Sequence, residues 1–186
     1  MSDTDIINTA QQDFNCISKK RRILSLVLYI VITAVLTQID QITKYIAEQR
    51  LYNKPDFVII KDVLHLTYLR NNGSAFGMFS GKINAFLVLT VIMICLITYV
   101  VLKTPLIIKY IPVYITCILL AAGAIGNFID RVRFGYVRDF IYFKIINFPV
   151  FNVADCYVTV SVIIFIILIL FVYKNEDDFA FLSLKK

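Results

Sequence analysis

Four long apolar segments dominate the pattern of this chain, and none contains Asp, Glu, Lys or Arg. They occupy residues 23–39, 83–102, 110–129 and 156–173. Each approaches the ~20 residues that an α-helix needs to cross the hydrocarbon core of a bilayer. The pattern predicts four transmembrane helices. We expect one four-span domain at 23–173, between polar tails at 1–22 and 174–186.

The polar stretches between these segments predict additional structure. Residues 52–56 favour a turn, and 57–60 and 63–69 are rich in the β-branched and aromatic residues typical of short strands. The aromatic-rich loop at 131–155 is expected to lie against the membrane interface. Residues 1–18 show no pattern and are interpreted as a disordered or loosely helical tail. The predicted fold is an all-α membrane protein with four transmembrane helices, a small β-sheet and an interfacial loop on the outer face.

Composition and charge agree with a membrane protein and suggest its orientation. The chain is 59% hydrophobic and carries a net charge of +6. Lys19 to Arg22 abut the first span, so the positive-inside rule predicts that both termini are cytoplasmic and that loops 40–82 and 131–155 lie outside. Those loops also carry Lys and Arg, but the residues flanking the first helix usually set orientation. The scattered basic residues do not predict nucleic-acid binding.

Three other interpretations are weaker. A cleaved secretory signal would have an apolar core of ~7–15 residues and an Ala-x-Ala site, whereas residues 23–39 are longer and are followed by no such site. The four cysteines show no Cys-x-x-Cys spacing, so they indicate neither a disulfide framework nor a metal site. His65 is the only histidine, so neither a zinc site nor a Ser-His-Asp triad is expected. We therefore expect no metal.

Candidate chemistry is concentrated where the apolar segments end. Asp139 and Asp155 each lie in a polar motif beside a predicted span. An ionisable group near hydrocarbon costs a few kcal/mol unless it faces a polar cavity or a partner, so both are candidate functional residues. A proton or ion path in a small transporter is one alternative, although such sites usually lie at the bilayer midplane. A non-enzymatic scaffold is another, and it would leave both acids dispensable.

The neighbouring polar residues each permit a structural and a functional interpretation. Asn127, Asp130 and Arg131 share a helical face at i, i+3 and i+4, but they also suit an ordinary helix end. Asn152 and Asp155 suit a helix cap. Asp40 and Lys44 suit an i,i+4 ion pair. Asn71 and Gly73 suit a turn.

In their order and spacing, these motifs resemble the lipoprotein signal peptidase (signal peptidase II) family. They comprise the segments Asp40 to Lys44, Asn71 to Phe76, Gly123 to Arg131, Gly135 to Phe140 and Phe151 to Asp155. The resemblance implies a monomeric aspartic endopeptidase of the bacterial inner membrane, with its site near the outer face and no cofactor. Its partners would be membrane lipid and diacylglyceryl-modified prolipoproteins, cut just before the lipid-modified cysteine.

The resemblance also assigns residues. Asp139 and Asp155 match the catalytic positions. The positions that shape the site or bind substrate are matched by Asp40, Lys44, Asn71, Gly73, Asn127, Arg131 and Asn152. Ser74, Arg138 and Cys156 depart from the usual pattern. A cation at Arg138 directed at Asp139 would lower the pKa of that carboxyl, but neighbours in an extended segment point to opposite sides.

Overall fold

The computed structural model describes residues 3–73, 83–174 and 178, and contains four long helices with a three-stranded antiparallel sheet. In chain order the elements are α1 (Asp3–Leu51), β1 (Phe57–Ile60), β2 (Leu64–Asn71), α2 (Ile83–Lys103), α3 (Ile111–Phe134), β3 (Val137–Phe143) and α4 (Val153–Ile167). Each predicted apolar segment matches, to within one residue at positions 83 and 173, part of a helical stretch long and apolar enough to span a membrane: Lys19–Leu51, Asn84–Lys103, Ile108–Phe134 and Val153–Val172. The four predicted helices are confirmed.

Helix α1 is longer than predicted at both ends. It begins at Asp3, so the residues expected to be disordered or loosely helical are continuous with the first span. At the other end it continues from the apolar segment to Leu51, because good helix formers follow and no Gly or Pro occurs before Pro55. Asp40 and Lys44 therefore lie within the helix.

The two predicted strands are confirmed as β1 and β2, and a third strand, β3, forms within the aromatic-rich loop at 131–155, where no strand was predicted. The order is β1-β2-β3, with Leu69 opposite Asp139, Arg70 opposite Arg138 and Asn71 opposite Val137. Since side chains alternate along a strand, Asn71 and Asp139 share one face of the sheet and Arg138 points to the other. The sequence pattern did not indicate β3, because polar residues contribute to both of its faces.

Helix α3 lies at the centre of the bundle and packs against α1, α2 and α4. Two glycines of α3 allow neighbouring elements to approach closely. A Cβ at Gly123 would lie 2.5 Å from the backbone oxygen of Ala154, and one at Gly126 would lie 2.5 Å from Oδ2 of Asp40. The segment of α3 that carries Asn127 is therefore held tightly between α1 and the beginning of α4.

Candidate active site

Asp139 and Asp155, on β3 and α4, are joined by the side-chain amides of two asparagines. Nδ2 of Asn152 donates to Oδ1 of Asp139 at 2.6 Å and to Oδ1 of Asn127 at 3.1 Å. Nδ2 of Asn127 donates to Oδ1 of Asp155 at 2.8 Å. Residues far apart in the chain thus form one hydrogen-bonded group where α3, β3 and α4 meet.

Asn152 and Asp155 also cap α4. The Asn152 side chain accepts from the backbone N–H of Asp155 at 3.0 Å, and Oδ2 of Asp155 accepts from the backbone N–H of Asn152 at 3.1 Å. This reciprocal capping box uses one polar atom of each side chain. The remaining polar atom of each side chain bonds Asn127 or Asp139, so the capping box leaves both residues within the hydrogen-bonded group.

Asn71 approaches Asp139 from the end of β2. Its Nδ2 donates to Oδ2 of Asp139 at 2.8 Å, while its Oδ1 accepts from the backbone N–H of Gly73 at 3.0 Å. The predicted turn at Gly73 therefore orients the amide toward the carboxylate. The continuation of this motif, Ser74 to Phe76, lies outside the described residues.

The Asp40 and Lys44 pair is buried behind the asparagines and does not lie on a solvated surface. Both side chains are 0% exposed, and Nζ of Lys44 lies 2.9 Å from Oδ2 of Asp40. The same ammonium donates to Oδ1 of Asn127 at 2.8 Å. Oδ1 of Asp40 accepts from the backbone N–H of Ala154 at 2.9 Å. The pair therefore fixes Asn127 and the beginning of α4.

Arg131 lies one helical turn after Asn127 and is half-buried. Its Nη1 donates to the backbone oxygen of Asn127 at 3.4 Å, and its guanidinium lies 5.0 Å from the centre of the Phe86 ring. Its charge interacts with the carboxylates of Asp155 and Asp139. It supplies positive charge at the edge of the carboxylate pair.

The resemblance did not assign Asp130, Gln41 or Arg138 to the site, yet the structure places all three around it. Arg138 points away from Asp139, as the alternation of an extended segment predicts. Its Nε and Nη2 donate to Asp130 at 3.1 and 2.8 Å, and its Nη2 also donates to Oε1 of Gln41 at 3.1 Å. The position of Asp130 at i+3 from Asn127 could have placed Asp130 in the site. Nothing in the sequence pairs Asp130 with Arg138.

Burial changes the acidity of Asp139. Asp139 is only 1% exposed. This burial is the larger cause, and repulsion from Asp155 the second, of a pKa raised to about 7. The amides of Asn71 and Asn152 oppose the shift because they stabilise the ionised form. Asp155 is partly exposed, so water has access to that side of the pair. The two carboxyls thus have different environments.

Nothing in the described part of the chain forms a metal centre: residues 3–73, 83–174 and 178 contain no group of three or more His, Cys, Asp or Glu placed to hold an ion. His65 is a buried residue of β2, as its sequence context suggested, and its Nδ1 lies 3.4 Å from Asp56. The described site offers carboxyl groups and amides, together with the ammonium of Lys44 and the guanidinium groups of Arg131 and Arg138.

The fold, with four helices long and apolar enough to span a bilayer, is that of a multi-pass membrane protein, and comparison with known proteins identifies its family. The family model described as signal peptidase (SPase) II matches residues 32–171. The lipoprotein signal peptidase of Caldanaerobacter subterraneus subsp. tengcongensis is 45% identical over 143 residues, which cover 76% of this chain and 95% of that protein. That of Enterococcus faecalis is 44% identical over 146 residues, or 78% and 89% of the two chains.

Two solved structures, both described as bacterial membrane enzymes determined by the in meso method, share the fold. The one at 1.9 Å resolution has a TM-score of 0.69 and 38% identity, covering 78% of this chain and 94% of its own. The one at 2.3 Å has a TM-score of 0.68 and 35% identity, covering 86% and 93%. This chain belongs to the signal peptidase II family and is a multi-pass membrane protease. The transporter and scaffold alternatives are accordingly set aside.

Proposed function

We propose that this protein removes the signal peptide from diacylglyceryl-modified prolipoproteins by hydrolysing the peptide bond just before the lipid-modified cysteine. Asp139 and Asp155 are the catalytic dyad. The family supports cleavage of lipoprotein signal peptides. The observation that carries the mechanism is the pair of amides, Asn127 and Asn152, that joins the two carboxyls across three elements.

The different environments of the carboxyls assign the proton. Asp139, with a pKa raised to about 7, holds it, and Asp155 is the ionised base beside water. Two close carboxyls do not both ionise readily, so sharing one proton is the favoured state. Capping supports this assignment, because an ionised Asp155 accepts the backbone N–H of Asn152 at the positive end of α4.

The reaction then proceeds in two balanced steps. Asp155 takes a proton from the attacking water, whose oxygen bonds to the scissile carbonyl carbon, while Asp139 gives its proton to the carbonyl oxygen. As the carbon–nitrogen bond breaks, Asp155 passes its proton to the leaving amine of the cysteine. Asp139 regains its proton from the hydroxyl that becomes the new carboxyl group. Both residues return to their starting states.

The surrounding polar groups have two kinds of role. Asn71 and Asn152 hold the oxygens of Asp139, and Asn127 holds Asp155. Arg131 is half-buried beside both carboxyls and is suited to stabilise the oxyanion that develops on the substrate. Because every group comes from one chain, the site needs no second copy, and we propose a monomer.

The orientation of the helices supports a site near the outer face of the bacterial inner membrane. Helix α1 carries Lys19 to Arg22 near one end of its apolar segment and Asp40 with Lys44 near the other. The basic end is expected to be cytoplasmic, with both termini. Asp139 and the sheet lie at the opposite end, because Phe140 packs against Ala47 and Leu51.

To test this function, the reconstituted protein is incubated with a lipid-modified prolipoprotein, and the released peptide is detected by mass spectrometry. Asp139→Asn and Asp155→Asn should each abolish cleavage as completely as the double variant, because neither carboxyl alone supplies both acid and base. Asp62→Asn is a matched control on an exposed turn of the sheet, and it should cleave normally. Near-normal turnover by either dyad variant, with the protein present in the membrane, would exclude the mechanism.

A further inference from the structure

A second pair of carboxylates, Asp40 and Asp130, lies behind the proposed dyad. Both residues are 0% exposed, so neither meets substrate or solvent directly. They come from different helices, α1 and α3, and their own partners are protein groups. Buried carboxylates are costly unless paired and hydrogen-bonded. Their contacts show which parts of the fold they hold in place.

Each member of this pair accepts the backbone N–H of the residue immediately before a dyad aspartate. Oδ1 of Asp40 accepts from Ala154, which precedes Asp155, at 2.9 Å. Oδ2 of Asp130 accepts from Arg138, which precedes Asp139, also at 2.9 Å. A hydrogen bond to a carboxylate is stronger than one to a neutral acceptor. The backbone is thereby fixed one residue away from each proposed catalytic group.

Two side chains of α1 connect the pair. Nε2 of Gln41 lies 3.2 Å from Oδ2 of Asp40 and 3.2 Å from Oδ1 of Asp130. Nζ of Lys44 lies 2.9 Å from Asp40 and 3.8 Å from Asp130. One amide and one ammonium on a single helix therefore lie between the two carboxylates that accept the backbone N–H groups.

We infer that Asp40 and Asp130, connected by Gln41 and Lys44, are positioning residues that set the separation of Asp139 and Asp155. This inference rests on the proposed dyad and adds the means by which its geometry is held. A displacement of about 1 Å at a reacting group can cost about 10²-fold in rate. Loss of the connection should therefore lower kcat, while KM changes little because the buried pair does not touch substrate.

Gln41→Leu is the most informative variant, because it removes the neutral amide between the two carboxylates and changes no charge. We expect kcat to fall at least about tenfold, with KM within about twofold. The pH profile should also move: looser carboxyls repel each other less, so the upper apparent pKa of the dyad falls. The charges that act on Asp139 from the packed elements, Lys44, Arg131 and Asp155, are unchanged in this variant.

Asp130→Asn provides a second, stronger test, and Glu48→Gln provides the control. Glu48 accepts from Nη1 of Arg138 at 3.3 Å but does not contact the backbone N–H of Arg138 or Ala154, so its variant should keep the wild-type kcat and pH profile. Thermal unfolding and membrane level are measured for each protein. If Asp130→Asn does not fold, Gln41→Leu decides the question.

The outcomes separate this inference from the proposed function. An active wild-type protein, with Gln41→Leu retaining its kcat and pH profile, would overturn the positioning role and leave the dyad intact. A fall in rate that only matches the loss of folded protein, with an unmoved pH profile, would also overturn it. A wild-type protein that cleaves no lipid-modified prolipoprotein would refute the proposed function, and the inference with it.

Discussion

At the scale of single residues, Asp139 shows how tertiary structure creates an acid from an ordinary aspartate. In sequence it is one polar residue between Arg138 and Phe140. In the structure it is buried beside Asp155, and burial first and repulsion second raise its pKa to about 7. Its sequence neighbour Arg138 has no part in this, because that guanidinium is turned toward Asp130. The proposed assignment of the proton to Asp139 depends on this burial, which the sequence does not reveal.

The raised pKa of Asp139 predicts the alkaline limb of the pH profile. The proposed mechanism requires a protonated Asp139 and an ionised Asp155, and deprotonation of Asp139 would remove the acid. We expect kcat to fall about tenfold per pH unit once the pH exceeds about 7, where Asp139 titrates. The limb belongs to the dyad as a coupled pair. Single-turnover cleavage measured from pH 4 to 9 checks this.

Thermal unfolding at each pH provides the control, since loss of fold would imitate loss of the acid. When folding raises the pKa of a carboxyl, the free energy of unfolding is higher while that carboxyl is protonated than after it ionises. Stability should therefore decline between about pH 4 and 7, from the unfolded to the folded pKa of Asp139, and then level off. A rate that stays constant from pH 6 to 9 would show that Asp139 is not the proton donor.

At the scale of elements, the beginning of α4 combines structure and chemistry. Asn152 and Asp155 form the capping box, and the backbone N–H of Ala154 is accepted by Asp40 on α1. The first turn of a helix has N–H groups without partners inside the helix, so each of these contacts satisfies one. Orientation of Asp155 therefore depends on how closely α1, α3 and α4 approach one another.

Gly126→Ala tests that approach. In an ordinary helix this change stabilises by about 1 kcal/mol. Here the new methyl group would lie 2.5 Å from Oδ2 of Asp40, whose other oxygen holds Ala154. We expect destabilisation of about 1–3 kcal/mol, as is typical of overpacking, together with a large loss of cleavage. Chemical denaturation and the cleavage assay measure the two effects.

Ile115→Ala on the same helix is the control, because Ile115 is exposed at the surface of the bundle. It changes a side chain to alanine without altering the contacts of Asp40, so cleavage should persist. If Gly126→Ala were as stable and active as the wild type, the close approach of α1 and α3 would not be needed for the site.

At the scale of the whole molecule, sequence predicted what depends on local pattern. Apolar length located the four helices, and β-branched residues located β1 and β2. The resemblance carried by the motifs selected most of the residues that the structure joins around Asp139 and Asp155. The missing parts, β3 and the connection of Asp40 through Gln41 to Asp130, depend on contacts between residues far apart in the chain. No periodicity encodes such contacts.

Lipid covering of the sheet and its neighbouring loop is the last expectation that the fold makes testable. All four residues of β1 are exposed, and the adjoining segment after β3 exposes Ile146 at 68%. Lys144, which follows β3, donates its backbone N–H to the oxygen of Val63, which follows β1.

Because the chain contains no Trp, Ile146→Trp gives a single fluorophore there, with Phe171→Trp in the fourth candidate span, Val153–Val172, as the lipid-facing reference. Large apolar surfaces are stable only when covered, so vesicles of lipids brominated near the headgroup should quench Ile146→Trp, and aqueous iodide should not. The opposite pattern would place this side of the sheet in water and would leave the membrane boundary at the helix ends.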